Sequence, residues 1–218
     1  MTKLLACLLL FPAFCLFPSD ASAGWLLWRA GDIISSPGPE KEASAEFIAG
    51  AMPLSARSDG AEIPVEILLL GRQYQVEHML SSAGFGPLPS SLLSSAGEAL
   101  GDVINGGASV KFPPAPVFRM DDRTQNLSFA RPAGKRGRIE LYLWRLPFRT
   151  PSNAHAWAAA VRLSADAECE GACPSPLLSL RKEVSSSKTA SVSVVTIKKA
   201  PSSKTGPRSV VVLAVKPA

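Results

Sequence analysis

The run Ile139-Glu140-Leu141-Tyr142-Leu143-Trp144 alternates along its length. Successive side chains of a strand point to opposite faces of a sheet, so this run predicts a strand with one buried and one wetter face. It extends to Arg138 and Leu146. Val117 to Met120, Asn126 to Arg131 and Ala156 to Leu163 read as further strands, joined by turns at Asp121-Asp122, Gly134 to Gly137 and Pro147 to Asn153. Ahead of them Pro113-Pro114-Ala115-Pro116 enforces an extended approach, since each proline fixes its own φ and biases its predecessor away from helix.

Upstream, Ile63 to Leu70 is a β-branched and leucine-rich run ending in Gly71, which predicts a mostly buried strand. From Arg72 to Ala83, Val76, Met79, Leu80 and Ala83 recur at helical spacing, and Gly84 stops the helix. A second helical stripe runs from Ser90 to Ile104 and ends at Asn105-Gly106-Gly107. The expected fold is α+β, a mostly antiparallel sheet with two helices on one face.

The C-terminal part differs in charge. Arg181 to Ala218 carries eight basic residues and one acid, Glu183, whereas Gly24 to Leu180 is slightly acidic, so the net charge of +5 resides in the tail. Ser191 to Ile197 and Ser209 to Val215 flank a connection containing Lys198, Lys199 and Lys204 with Arg208, which predicts a C-terminal β-hairpin with a long cationic loop. Such a patch suits anionic lipid or an envelope polymer. The plainer reading has the lysines guarding two aggregation-prone strands.

Compartment is read from the first 23 residues. A lysine precedes an apolar run from Leu4 to Phe17, too short to span a bilayer, and Ala21-Ser22-Ala23 supplies a small-x-small cleavage site. A signal peptide over 1–23, cleaved after Ala23, makes the chain periplasmic or secreted, with no transmembrane segment in the mature part. Residues 24–62 form an N-terminal extension in which Trp25 and Trp28 serve either as a first core strand or as a membrane or partner anchor. Only Cys169 and Cys173 remain after cleavage. In an oxidising compartment they predict a small disulfide loop worth roughly 2 kcal/mol, with redox-active or free thiols as the other readings.

Several strings, taken in order, resemble the LssY C-terminal domain, a bacterial family found alone or fused to membrane-embedded phosphatase modules. They are Pro64 to Gly71, Ser82-Ala83-Gly84-Phe85, Arg123-Thr124-Gln125-Asn126-Leu127-Ser128-Phe129-Ala130-Arg131-Pro132, Leu143-Trp144-Arg145 and Ala156-Trp157-Ala158-Ala159-Ala160. The resemblance implies a domain over 63–180, followed by the basic hairpin or tail over 181–218, and an envelope setting without an assigned activity. Where the family carries histidines and an arginine before the Leu-Trp-Arg string, this chain has Ile139-Glu140-Leu141-Tyr142. A family aspartate falls near Ser164, with Asp166 the nearest acid.

No enzymatic constellation is complete. There is no Gly-x-Ser-x-Gly elbow, no phosphate-binding glycine loop and no cofactor fingerprint. His78 and His155 read as exposed or packed histidines, and Asp121-Asp122 near Glu140 offers too few oxygens for a hard cation. The Asn126-Leu127-Ser128 sequon is incidental in a bacterial chain. Nucleic acid is an unsuitable partner, because the positive charge is confined to the tail. The expectation is a non-enzymatic domain that binds an envelope protein, anionic lipid or polymer and needs no cofactor. The alternative is a hydrolase acting on a phosphorylated or acylated envelope substrate. The two separate on whether Arg123, Arg138, Glu140, Tyr142 and Arg145 converge on one concave surface.

Overall fold

In the computed structural model, which describes residues 39–89, 115–133, 137–164, 175–197 and 208–216, the alternating run becomes the centre of a thirteen-residue strand covered on both faces. In chain order the elements are β1 (Lys41–Glu42), α1 (Ala45–Ala51), β2 (Ser55–Ser58), β3 (Ala61–Pro64), β4 (Ile67–Leu70), α2 (Gln73–Ser82) and β5 (Gly86–Pro87). They continue with β6 (Arg119–Met120), β7 (Arg123–Thr124), β8 (Leu127–Ala133), β9 (Gly137–Arg149), β10 (His155–Leu163), α3 (Pro176–Ser187), β11 (Ala190–Ile197) and β12 (Arg208–Val215).

The larger sheet has the order β11-β12-β4-β10-β9-β8-β5, with β1 added parallel to the end of β9. β12 and β4 also run parallel, and the remaining pairs are antiparallel. A smaller sheet follows β3-β2-β6-β7. The fold is α+β, mostly antiparallel, with α2 and α3 together on one face and β11–β12 as a C-terminal hairpin.

Alternation along β9 explains the layers. Ile139, Leu141 and Leu143 face α2 and α3, meeting Val76, Met79, Leu80, Leu180 and Val184. Tyr142, Trp144 and Leu146 face α1 and the smaller sheet, meeting Ile48, Ala56, Ile63, Phe118 and Met120. The expected wetter face is therefore corrected: Glu140, Tyr142 and Trp144 are as buried as their apolar neighbours, because α1 and the smaller sheet, with Phe118 and Met120, pack on that face.

Three other expectations change. Ile63 to Leu70 is two strands, because Val65-Glu66 carries the chain from the smaller sheet (β3) into the larger (β4). Helix α3 spans the expected boundary at 180, starting from Pro176 at its first position, where a proline loses no helical bond. The β9 strand continues through Pro147 to Arg149, moving the turn to Thr150–Ala154, whose backbone bonds are Thr150 N–H to Ala154 O and Asn153 N–H to Thr150 O. Helix α2 and its stop hold, with Gly84 at φ 81°. So does the Asp121-Asp122 turn, whose φ values of 47° and 63° suit a two-residue hairpin. The leader 1–23, Trp25 and Trp28, the Ser90–Ile104 stripe, Cys169 and Cys173, and Lys198, Lys199 and Lys204 lie outside the described residues.

Candidate functional site

The β9 strand brings three of the five singled-out residues together and separates the other two. Arg138, Glu140 and Tyr142 occupy alternate positions on one face, and the register of β10 sets Arg162 directly opposite Glu140. Arg138 Nε donates to Glu140 Oε1 at 2.7 Å, while Tyr142 Oη at 2.6 Å and Arg162 Nε at 2.5 Å both donate to Oε2. Glu140 is 1% exposed and Arg138 5%. The Arg162 guanidinium also lies 5.3 Å from the Phe118 ring centroid, and Phe118 packs on Tyr142 at 4.7 Å.

Burial alone would raise the Glu140 pKa. The Tyr142 hydrogen bond, the Arg162 charge and the Arg138 hydrogen bond outweigh it, so the carboxyl titrates below its ordinary value. The same burial, reinforced by the Glu140 carboxylate, pushes the Tyr142 phenol up. Arg162 follows the same balance, lowered by burial and raised further by Tyr142 and Glu140. Chemically this is a closed cluster. Glu140 accepts at both oxygens and has little basicity left, and the phenol is held protonated.

Arg145 is on the opposite face of β9. Its guanidinium donates to Glu40 Oε1 from Nη2 at 2.9 Å and from Nε at 3.2 Å, and His155 Nδ1 lies 2.9 Å from both Glu40 oxygens. The guanidinium sits 5.9 Å from the Trp157 ring centroid, and Trp157 Nε1 donates to Gly71 O at 3.0 Å. This second cluster fastens the segment before β1 to the end of the sheet. Sequence reasoning missed it because Glu40 is 115 residues from His155. Arg123 is exposed on β7, where its carbonyl accepts from Trp144 Nε1 at 3.2 Å. The five residues therefore form no common concave surface.

Arg208, expected in a free cationic patch, is half-buried and structural. Its guanidinium donates to Met52 O at 3.0 Å, to Pro53 O at 3.2 Å and to Val65 O. Met52 and Pro53 lie between α1 and β2 and Val65 lies at the crossing from β3 to β4, so the side chain ties the hairpin to both places. Burial lowers its pKa, against the pull of Glu66. A shallow groove of about 770 Å³ lies over the smaller sheet, lined among others by Leu54, Arg57, Asp59, Arg119, Asp121 and Asp122. Glu140 does not line it. Among the described residues no three histidine, cysteine or acidic side chains are grouped to hold a metal ion, and no helix is long and apolar enough to cross a membrane.

No known protein family matches this chain, and neither does any curated protein or solved structure.

Proposed function

We propose that the chain is an exported bacterial envelope protein whose folded part binds a partner and performs no chemistry. What carries this reading is the saturation of Glu140: a buried carboxylate with both oxygens occupied by Arg138, Tyr142 and Arg162 braces the sheet and does not serve as a base. The hydrolase alternative called for Arg123, Arg138, Glu140, Tyr142 and Arg145 on one concave surface, whereas Arg138, Glu140 and Tyr142 are engaged with one another, Arg145 pairs with Glu40 and Arg123 is exposed. The leader-like residues 1–23 and the resemblance of residues 63–166 to the LssY C-terminal family support the envelope setting. The partner-facing charge resides in Lys198, Lys199 and Lys204, which the sequence places between the two strands of the hairpin.

The test is capture from bacterial envelope extract with the exported chain, repeated with Lys198→Glu, Lys199→Glu and Lys204→Glu together. Arg208 is left intact because it holds the fold. Loss of captured material in the charge-reversed chain supports the cationic connection as the binding element. Unchanged capture removes it.

A further inference from the structure

The two edges of the larger sheet are protected to different degrees. At one end β5 is two residues long and includes Pro87, which is a blunted edge. At the other, β11 is eight residues long, contains no charge and no proline, and pairs with β12 in an unbroken register from Ala190–Val215 to Ile197–Arg208. Lys216 N–H bonds to Thr189 O, making that opposed pair a hydrogen-bonded one, and Val211 N–H turns away to Glu66 O. Antiparallel pairs alternate, so the N–H and C=O groups of Val192, Val194 and Thr196 point outward from β12. Among the described residues nothing pairs with them.

Among the described residues nothing covers the outer edge of the strand, which is held in place from its faces. Val195 packs toward one core layer and Val192 toward the other, while Ser191, Ser193, Val194 and Thr196 are exposed, Val194 at 47%. An edge so anchored needs no further ordering to accept another strand.

We propose that the outer edge of β11 is a docking strand for an extended, acid-flanked segment of a partner protein, a proposal that rests on the binding-domain reading above. Charge selects this occupant. Exposed Lys188 precedes the strand, and Lys198 and Lys199 follow Ile197 in sequence, so the strand is flanked in sequence by cations on both sides. A second copy of this chain is disfavoured, because a closed twofold pair must be antiparallel and would set Lys188 of each copy toward the Ile197 end of the other, where the sequence continues with Lys198 and Lys199. An acid-flanked strand turns the same two repulsions into attractions.

The probe is a synthetic peptide of alternating threonine and valine with two glutamates at each end, titrated into the exported chain and followed by fluorescence anisotropy. Lysine-flanked and centrally proline-interrupted peptides are the controls. Val194→Pro removes an outward N–H and no ladder bond, so the hairpin survives, as circular dichroism and an unchanged thermal midpoint verify. Ser193→Pro removes an N–H that β12 uses and marks a broken hairpin. Saturable binding of the glutamate-flanked peptide, weakened about ten-fold or more by lysine flanks and abolished by Val194→Pro, is the expected result. Absence of binding, or equal binding by Val194→Pro, overturns the proposal. So does a concentration-dependent dimer in sedimentation that Val194→Pro abolishes, which would put a second copy on the edge. Failure of the peptide with envelope capture intact sinks the edge proposal alone, whereas loss of any envelope partner sinks the binding-domain reading itself.

Discussion

Replacing Glu140 with glutamine tests the closed cluster, since it keeps the shape and removes the charge. The substituted amide would still accept at its one oxygen but would turn an N–H2 group toward donors, leaving the buried Arg138 and the partly buried Arg162 without their shared carboxylate. Removing one partner of a buried ion pair typically costs about 3–5 kcal/mol. Arg162 is 28% exposed at its side chain and can be partly rehydrated, which places the expected loss near the lower end, about 3 kcal/mol. For a domain of this size that lowers the thermal midpoint by about 6–12 °C. Urea unfolding at pH 7 measures it directly. The pH dependence has a definite sign. The carboxyl titrates below its ordinary value of 4.5 in the folded chain, so its contribution is complete above that value and is lost as pH falls through the folded pKa. The gap between wild type and Glu140→Gln should therefore close in acid. A loss under about 1 kcal/mol at pH 7, or a gap that stays constant from pH 7 to about pH 3, refutes the reasoning.

Three further variants probe other joints of the fold. Arg208→Ala should cost about 3 kcal/mol in urea unfolding, because it strands the carbonyls of Met52, Pro53 and Val65, and Arg208→Lys should not restore it, since an ammonium lacks the fork that reaches all three. Glu40→Gln should leave global stability within about 1 kcal/mol, yet speed amide exchange at Ala43, whose N–H bonds to Arg149 O at 2.9 Å only while β1 is docked. Gly71→Ala should cost about 1–3 kcal/mol, as its added Cβ would come within 3.0 Å of the Val215 Cγ2 atom, a difference visible in the denaturation midpoint.

What the sequence made legible follows the reach of each signal. Helix α2 and strands β8 to β10 were readable because period and punctuation are local: the apolar spacing from Val76 to Ala83, then Gly84, and the alternation around Leu141. The hairpin was readable for the same reason. Of the second layer only Val117 to Met120 and the Asp121-Asp122 turn were readable, because β2, β6 and β7 are two to four residues long and form a layer only by pairing with one another, as Arg57 does with Arg119. Helix α3 was hidden by its basic and serine-rich residues, which resemble a tail until Leu180 and Val184 are seen to face the core. Of the site, the set on β9 was legible and its partners were not. Arg162 is 22 residues from Glu140, and counting back from the turn gives the wrong neighbour, because the ladder is irregular between His155 and Trp157.

That irregularity gives the buried charges a role beyond stability. His155 opposes Arg149, but Trp157 opposes Arg145, so the β9–β10 ladder shifts by two residues before the long run that ends at Ile139–Leu163. Had the initial register continued, Ser164 would face Glu140 and Arg162 would face Tyr142. A two-residue slip leaves every side chain on its own face, and β10 reads Ala156, Ala158, Ala159 and Ala160 around Trp157, so hydrophobic patterning distinguishes the two registers only weakly. The Glu140–Arg162 pair distinguishes them strongly, since one register leaves a buried carboxylate without its cross-strand cation. A chain carrying Arg138→Met, Glu140→Leu, Tyr142→Phe and Arg162→Met together separates the two roles. Its denaturation midpoint should fall less than that of Glu140→Gln, because the Glu140 carboxylate and the donors it satisfies are removed together, while amide resonances of residues 156–163 should broaden or double as the strand samples both registers. A single sharp set of resonances in a chain of wild-type stability would mean that packing of Trp144 and Trp157 alone fixes the register, and that the cluster is only a tolerated polar island.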